Sequence, residues 1–147
     1  MILDAIRIAV YQRLVNYPAL DGLLARSVED SLLPAIYDHV PQAIDPENDA
    51  AFPFLTLDND AISWDTDTDD GFDDEVSLHA WTRYGGRREA LLIQDACFAA
   101  LHEQPEELTI TGGRAALLQH VSARVYPEPD GRTYRGEQRF RLLAEVA

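Results

Sequence analysis

The sequence predicts an α+β fold: an antiparallel sheet of four or five strands, with an N-terminal helix and a second long helix packed on one face. Three observations predict it. Two segments space their apolar residues by three and four, as a helix requires, while two pairs of segments alternate with a period of two. The strand pairs are joined by polar, glycine-containing turns, which makes them antiparallel. Helix, strand pair, helix and strand pair follow one another over residues 1–147 without an internal repeat or linker, so a single domain is expected.

Leu3, Ile6, Val10 and Leu14 fall on one face of a helix over 2–15. Tyr17-Pro18 ends it, because the residue before a proline is pushed out of helical backbone. A second short helix is expected over 19–27, residues 28–33 fit neither period, and 34–37 read as a short entry strand. Residues 41–51 are polar and proline-bearing, an irregular loop of a kind that orders on contact with a partner.

From Phe52 a strand is expected to reach about Ser63, with Phe52 and Phe54 on one face and Leu55 and Leu57 on the other, buried on both sides. Pro53 suits its first positions, where a missing N–H costs least. Glu75–Thr82 returns with Val76, Leu78 and Ala80 on one face and Ser77, His79 and Trp81 on the other. The two make a hairpin with the acidic tip WDTDTDDGFDDE, residues 64–75, and Trp64 and Trp81 are expected to approach across it.

Gly85-Gly86 precedes a helix over 87–103. Its inward stripe is Ala90, Leu91, Ile93, Gln94, Cys97, Phe98 and Leu101; Arg87, Glu89, Asp95 and Glu103 mark its wetter side. Pro105 stops it, and 108–110 read as a short strand. Residues 116–126 alternate as a strand, with Leu118, His120 and Ser122 on one face and Leu117, Gln119, Val121 and Ala123 on the other. A loose turn at Asp130-Gly131 leads to a last strand over 138–146.

Net charge is −14 and unevenly placed: residues 1–75 hold 17 acids and 3 arginines, while residues 76–147 hold 9 of each. All 12 basic residues are arginine. An acidic chain without a basic cluster is a poor tight binder of DNA or RNA, since phosphate neutralisation dominates that affinity. No run approaches the roughly 20 apolar residues of a membrane span, and charges inside MILDAIRIAVYQRLV do not suit a signal peptide. A cytosolic chain without membrane association is expected. The single Cys97 excludes an internal disulfide and a cysteine-based zinc cage, and its alanine-rich surroundings suit an inert buried thiol.

The enzyme templates fail. The glycine pairs at 85–86 and 112–113 lack the continuation of a phosphate-binding loop, and no serine lies in a nucleophile elbow. His39, His79, His102 and His120 are scattered without metal-ligand spacing; His39 and His102 are expected to face solvent. No catalytic residue and no cofactor are expected. In the acidic tip, Asp65, Asp67 and Asp69 fit the first three alternate positions of a calcium loop. The glycine then comes one residue late, at Gly71, and Val76 stands where the closing glutamate belongs. The three aspartates are the calcium candidates, against a solvated hairpin tip as the plainer reading.

The order of pieces carries a resemblance. A helix leads to Ile36-Tyr37, then to FPFLTL at 52–57, and the hairpin returns as VSLHAWT at 76–82. GRREA at 86–90 opens the long helix, and DGRTYRG at 130–136 precedes RFRL. Over residues 3 to 145 this is similar to the tail-completion, or tail-terminator, proteins of long-tailed bacteriophages and phage-derived gene transfer agents. The resemblance implies a non-enzymatic ring, usually a hexamer, that caps the head-proximal end of the tail tube. Its partners would be copies of itself, the tail-tube protein and a head connector or stopper, with DNA only passing through. On that reading Trp81, Arg124, Arg132, Arg135, Arg139 and Arg141 are candidate contacts with a neighbouring subunit or the tube. Asp65, Asp67, Asp69 and Asp70 are candidates to face the channel and keep DNA mobile by repulsion. The alternative is a cytosolic α+β binding module whose acidic hairpin loop takes calcium.

Overall fold

Helix α1 (Leu3–Val15) buries Ile6, Val10 and Leu14 as its spacing predicts, with Ala9 added and Leu3 only half-buried, in a computed structural model that describes residues 2–62 and 71–147. Helix α2 (Pro18–Leu23) starts on Pro18, whose fixed φ suits a first turn. It stops short of the expected Ser27 because tertiary hydrogen bonds claim the backbone. The Ala25 N–H donates to the Pro53 carbonyl at 2.9 Å, and the Ala25 carbonyl accepts from the Ala35 N–H at 2.8 Å. Residues 26–34 form a tight excursion closed by the Arg26–Pro34 bridge, and lead into β1 (Ile36–Tyr37).

Strands β2 (Phe54–Ile62) and β3 (Gly71–Thr82) form the long hairpin, with β3 starting four residues earlier than expected. Phe54, Leu55, Thr56 and Leu57 are all buried, so β2 begins with both faces covered. The register sets Trp81 opposite Phe54, and their rings stack with centroids 6.2 Å apart. Gly85 and Gly86 both take positive φ in the turn that launches α3 (Arg88–Leu101). After α3 comes a 3-10 turn at Pro105–Glu107, and residues 108–110, expected as a short strand, form none. Leu108 and Ile110 are buried as plugs at the end of the core, which accounts for their apolar spacing without a strand partner.

Strands β4 (Gly113–Pro127) and β5 (Tyr134–Val146) are both longer than expected, which places Arg135 inside a strand. The sheet order is β1-β2-β3-β5-β4. All neighbours are antiparallel except β1 and β2, so the sheet is mixed rather than antiparallel throughout. The cause is the long 38–53 connection, which carries the chain back so that β2 starts alongside β1 and runs the same way. Register shifts between Ala115 and Leu117 and between His120 and Ser122 interrupt β4. The second puts Ser122 on the face opposite His120, where strict alternation had placed them together.

Helices α1 and α3 cover one face, packing Ile6, Val10, Ile93, Cys97 and Leu101 against Val76, Leu78, Phe140 and Leu142. Burial pushes the Cys97 thiol up to about 12, consistent with an inert core residue. Gly136 lets α3 close on β5, since a Cβ there would lie 2.9 Å from Gln94 Nε2. The opposite face carries a second, smaller core of Tyr37, Ile44, Ala51, Phe52 and Phe54. The 41–51 loop folds over it, with a 3-10 turn at Asp49–Ala51 capped by the Asn48 side chain.

Candidate assembly surfaces

Beyond the smaller core, the uncovered face of the sheet is a ladder of alternating charge built by the β3–β5 register. Arg141 Nη2 meets Asp73 Oδ2 at 3.0 Å. Arg139 stands between Glu137 at 2.8 Å and Glu75 at 3.7 Å, and Arg135 reaches Glu128 at 3.0 Å while lying over the Tyr126 ring. Asp73 holds the Arg141 guanidinium above its ordinary pKa by hydrogen bonding and charge. Such exposed pairs are screened by water and contribute little stability, so their effect is on register. Arg132 is also engaged, donating from Nη2 to Asp49 at 2.7 Å. Arg124 is exposed and, among the described residues, has no ion-pair partner.

Where the ladder meets the smaller core, two loops clasp an apolar groove. Trp81 is half-buried there and donates from Nε1 to Thr56 Oγ1 at 3.2 Å. Val40, Ile44, Phe52, Phe54 and Trp81 line a cavity of about 260 Å³. Arg83 ties the clasp together with its side chain only 7% exposed. Its Nε donates to Thr133 Oγ1 at 3.0 Å, its Nη1 to the Pro46 carbonyl and to Asp49, and its guanidinium lies 4.0 Å from the Phe52 ring centre. Asp130 closes the β4–β5 turn by accepting from the Thr133 hydroxyl and the Arg132 and Thr133 N–H groups, which hold its carboxyl down at about 2. Sequence reasoning passed over Arg83. The available signal was parity: it continues the outward positions 77, 79 and 81 of β3.

Asp74 is the most constrained carboxylate described. It is fully buried on the helix-covered face, where Asn59 Nδ2 donates to its Oδ2 at 3.1 Å while Oδ1 has no partner among the described residues. Burial raises its pKa to about 6, against the opposing Asn59 hydrogen bond. His79 and His120 lie on strands, each half-buried, and burial lowers the pKa of both. His102 is packed rather than solvent-facing: it stacks on Phe98 and accepts at Nδ1 from the His120 N–H at 3.1 Å. His39 is exposed. Asp65, Asp67, Asp69 and Asp70, with Trp64, lie outside the described residues. Among the described residues no group of three His, Cys, Asp or Glu side chains could hold a metal ion. No helix there is long and apolar enough to cross a membrane.

Beside β4 several apolar side chains are exposed, while its backbone edge is partly capped: the Leu118 carbonyl accepts from the Glu103 N–H at 2.9 Å and the Arg124 carbonyl from Gln94 Nε2 at 3.0 Å. Leu91 and Phe98, assigned to the core stripe by spacing, are 46% and 42% exposed on α3, and Val121 at the second β4 irregularity is 61% exposed. Between α3 and β4 a cleft of about 150 Å³ is lined by Leu91, Gln94, Phe98, His120 and Ala123, with Asp95 at its rim. Two buried polar atoms of that lining, Gln94 Oε1 and His120 Nε2, have no hydrogen-bond partner among the described residues.

A family model described as "Tail completion protein gp17" matches residues 8–145. A chain in the solved structure "Virion of native gene transfer agent (GTA) particle" shares the fold with a TM-score of 0.80 at 23% sequence identity, covering 98% of this chain and 97% of that one. No curated protein matches the chain.

Proposed function

Because the chain belongs to the tail completion protein gp17 family, we propose that it forms a ring, a hexamer, capping the head-proximal end of a phage-type tail tube. The ring ends tube growth, offers the surface to which the head connector or stopper binds, and leaves a channel through which DNA passes. The role is structural, in the tail of a virion-like particle, and asks no catalysis and no cofactor of the chain. Its place is the finished particle, and the host cytoplasm while that particle assembles. The family match over residues 8–145 carries this reading, and the whole-length likeness in fold to a chain of a gene transfer agent virion supports it. The acidic tip belongs to the same reading, with Asp65, Asp67, Asp69 and Asp70 lining the DNA path.

Deleting the gene in a particle-producing strain tests the proposal by electron microscopy. Over-long tubes and unjoined heads are expected, with normal particles restored by the gene in trans. Joined particles of normal tail length in the deletion strain overturn it. Replacing the four tip aspartates with asparagine is expected to leave joined particles that deliver less DNA, and undiminished delivery removes the tip from the channel.

A further inference from the structure

A ring built by rotation needs two different surfaces on each subunit, one meeting the other on the next copy. The sheet order puts β1 at one edge and β4 at the other, and the two edges carry opposite features. At the β4 edge, Leu91, Phe98 and Val121 are exposed around the cleft, and Arg88 and Arg124 flank it from the two faces of the sheet. Neither arginine has an ion-pair partner among the described residues. Arg87 adds to the positive rim and Asp95 subtracts from it.

At the β1 edge the 26–34 excursion presents the complement. Leu32 is 85% exposed at its tip, the most exposed large apolar side chain described, and Val28 is exposed beside it. Glu29 and Asp30 lie between them, without an arginine partner among the described residues. The excursion is held in place, not loose. The Val28 N–H donates to the Tyr37 hydroxyl at 3.0 Å, Asp30 accepts from the Leu32 N–H at 3.0 Å, and the Ser27 N–H donates to the Leu33 carbonyl at 2.9 Å. Burial raises the pKa of Tyr11 on α1, and the charges of Glu29 and Asp30 add to that rise.

We propose that the 28–32 tip of one subunit docks head to tail into the α3–β4 cleft of the next. Leu32 fills the cleft between Leu91 and Phe98, Glu29 and Asp30 meet Arg88 and Arg124, and the incoming backbone supplies partners for Gln94 Oε1 and His120 Nε2. The docking covers the exposed Leu91, Phe98 and Val121 side chains. Opposite charge at the rim selects the register and suppresses pairing of like edges. The proposal rests on the ring reading above and assigns its faces.

Cysteine trapping tests it, because the single native thiol, Cys97, is buried. The double variant Leu32→Cys/Val121→Cys is oxidised both as purified chain and in assembled particles. A ladder of multimers that collapses on reduction is expected, with each single variant giving little above monomer. In parallel, Arg88→Glu/Arg124→Glu is expected to weaken self-association at least tenfold by light scattering. Adding Glu29→Arg/Asp30→Arg to the same chain is expected to restore it. Self-association in which the Leu32→Cys/Val121→Cys chain fails to cross-link, or a charge swap that fails to restore association, overturns this assignment of faces and leaves the ring standing. A chain that is monomeric both in solution and in particles overturns the ring as well.

Discussion

The helix-covered face of the sheet buries Val76, Leu78, Phe140 and Leu142 as a continuous apolar layer, whereas the opposite face threads Arg135, Arg139 and Arg141 between acids and is packed only at one end. Both faces belong to the same strands, since alternate residues of β3 and β5 point each way. Stability is concentrated on the first face, because area removed from water counts there in full while exposed ion pairs are screened. The second face is therefore open to being shaped by partners at small cost to the fold. The Arg83 clasp is the exception, a buried charge holding two loops on the otherwise solvated side.

Substitutions that strike one face and spare the other sharpen this contrast. The largest effect is expected from Phe140→Ala on the covered face, where the side chain is fully buried; a loss of about 4 kcal/mol in urea unfolding follows from transfer and cavity costs. A loss under about 1 kcal/mol would show that the helical layer collapses to fill the space. Next comes Arg83→Ala, expected to cost about 3 kcal/mol by leaving the Pro46 carbonyl and Thr133 hydroxyl without their donor. Hydrogen exchange should then rise in residues 41–51 while α3 stays protected; equal loosening of both would merge the clasp with the main core.

Asp74 gives a smaller effect with a defined pH dependence. Its folded pKa, about 6, lies above that of an exposed aspartate, so folding binds a proton. The resulting stabilisation is fully present below about pH 4 and is lost as pH rises through 6, a swing of at most about 3 kcal/mol. Asp74→Asn is expected to be the more stable form at pH 8, by about 2 kcal/mol, and to flatten the change between pH 5 and pH 8 in denaturant midpoints. An unchanged pH profile would mean that the carboxyl titrates as if in water. Smallest of all, Arg139→Gln on the open face is expected to cost no more than about 1 kcal/mol, less still in high salt.

The sequence showed what depends on short-range periodicity. Helix α1, the β2–β3 hairpin and the inward residues of β3 follow from spacings of three, four and two, and the structure keeps them. It was silent where one residue or a distant segment decides. The register shift beyond His120 moves Ser122 to the other face and has no local signature. The parallel pairing of β1 rests on two residues and a long connection. On α3 the apolar stripe is wider than the sheet beneath it, so Leu91 and Phe98 matched a core pattern but emerged at the edge. As for the candidate surfaces, the arginines of β5 were legible as residues, but their intramolecular acids were not, because Asp73 and Glu75 are brought to them only by strand pairing.

The place of β5 in the sheet has a further consequence. It is the last strand in sequence, yet it lies between β3 and β4 and touches both along nearly its whole length. Until it has been synthesised, the β2–β3 hairpin and β4 have no common partner, and neither helix has a complete floor to rest on. Folding therefore waits until residues 134–146 have been made, and its long-range pairings make it comparatively slow. A chain cut short before Tyr134 lacks the centre of the sheet rather than a margin. Incomplete copies are thus left unfolded and open to proteolysis instead of entering an assembly in which a single defective member would spoil the whole.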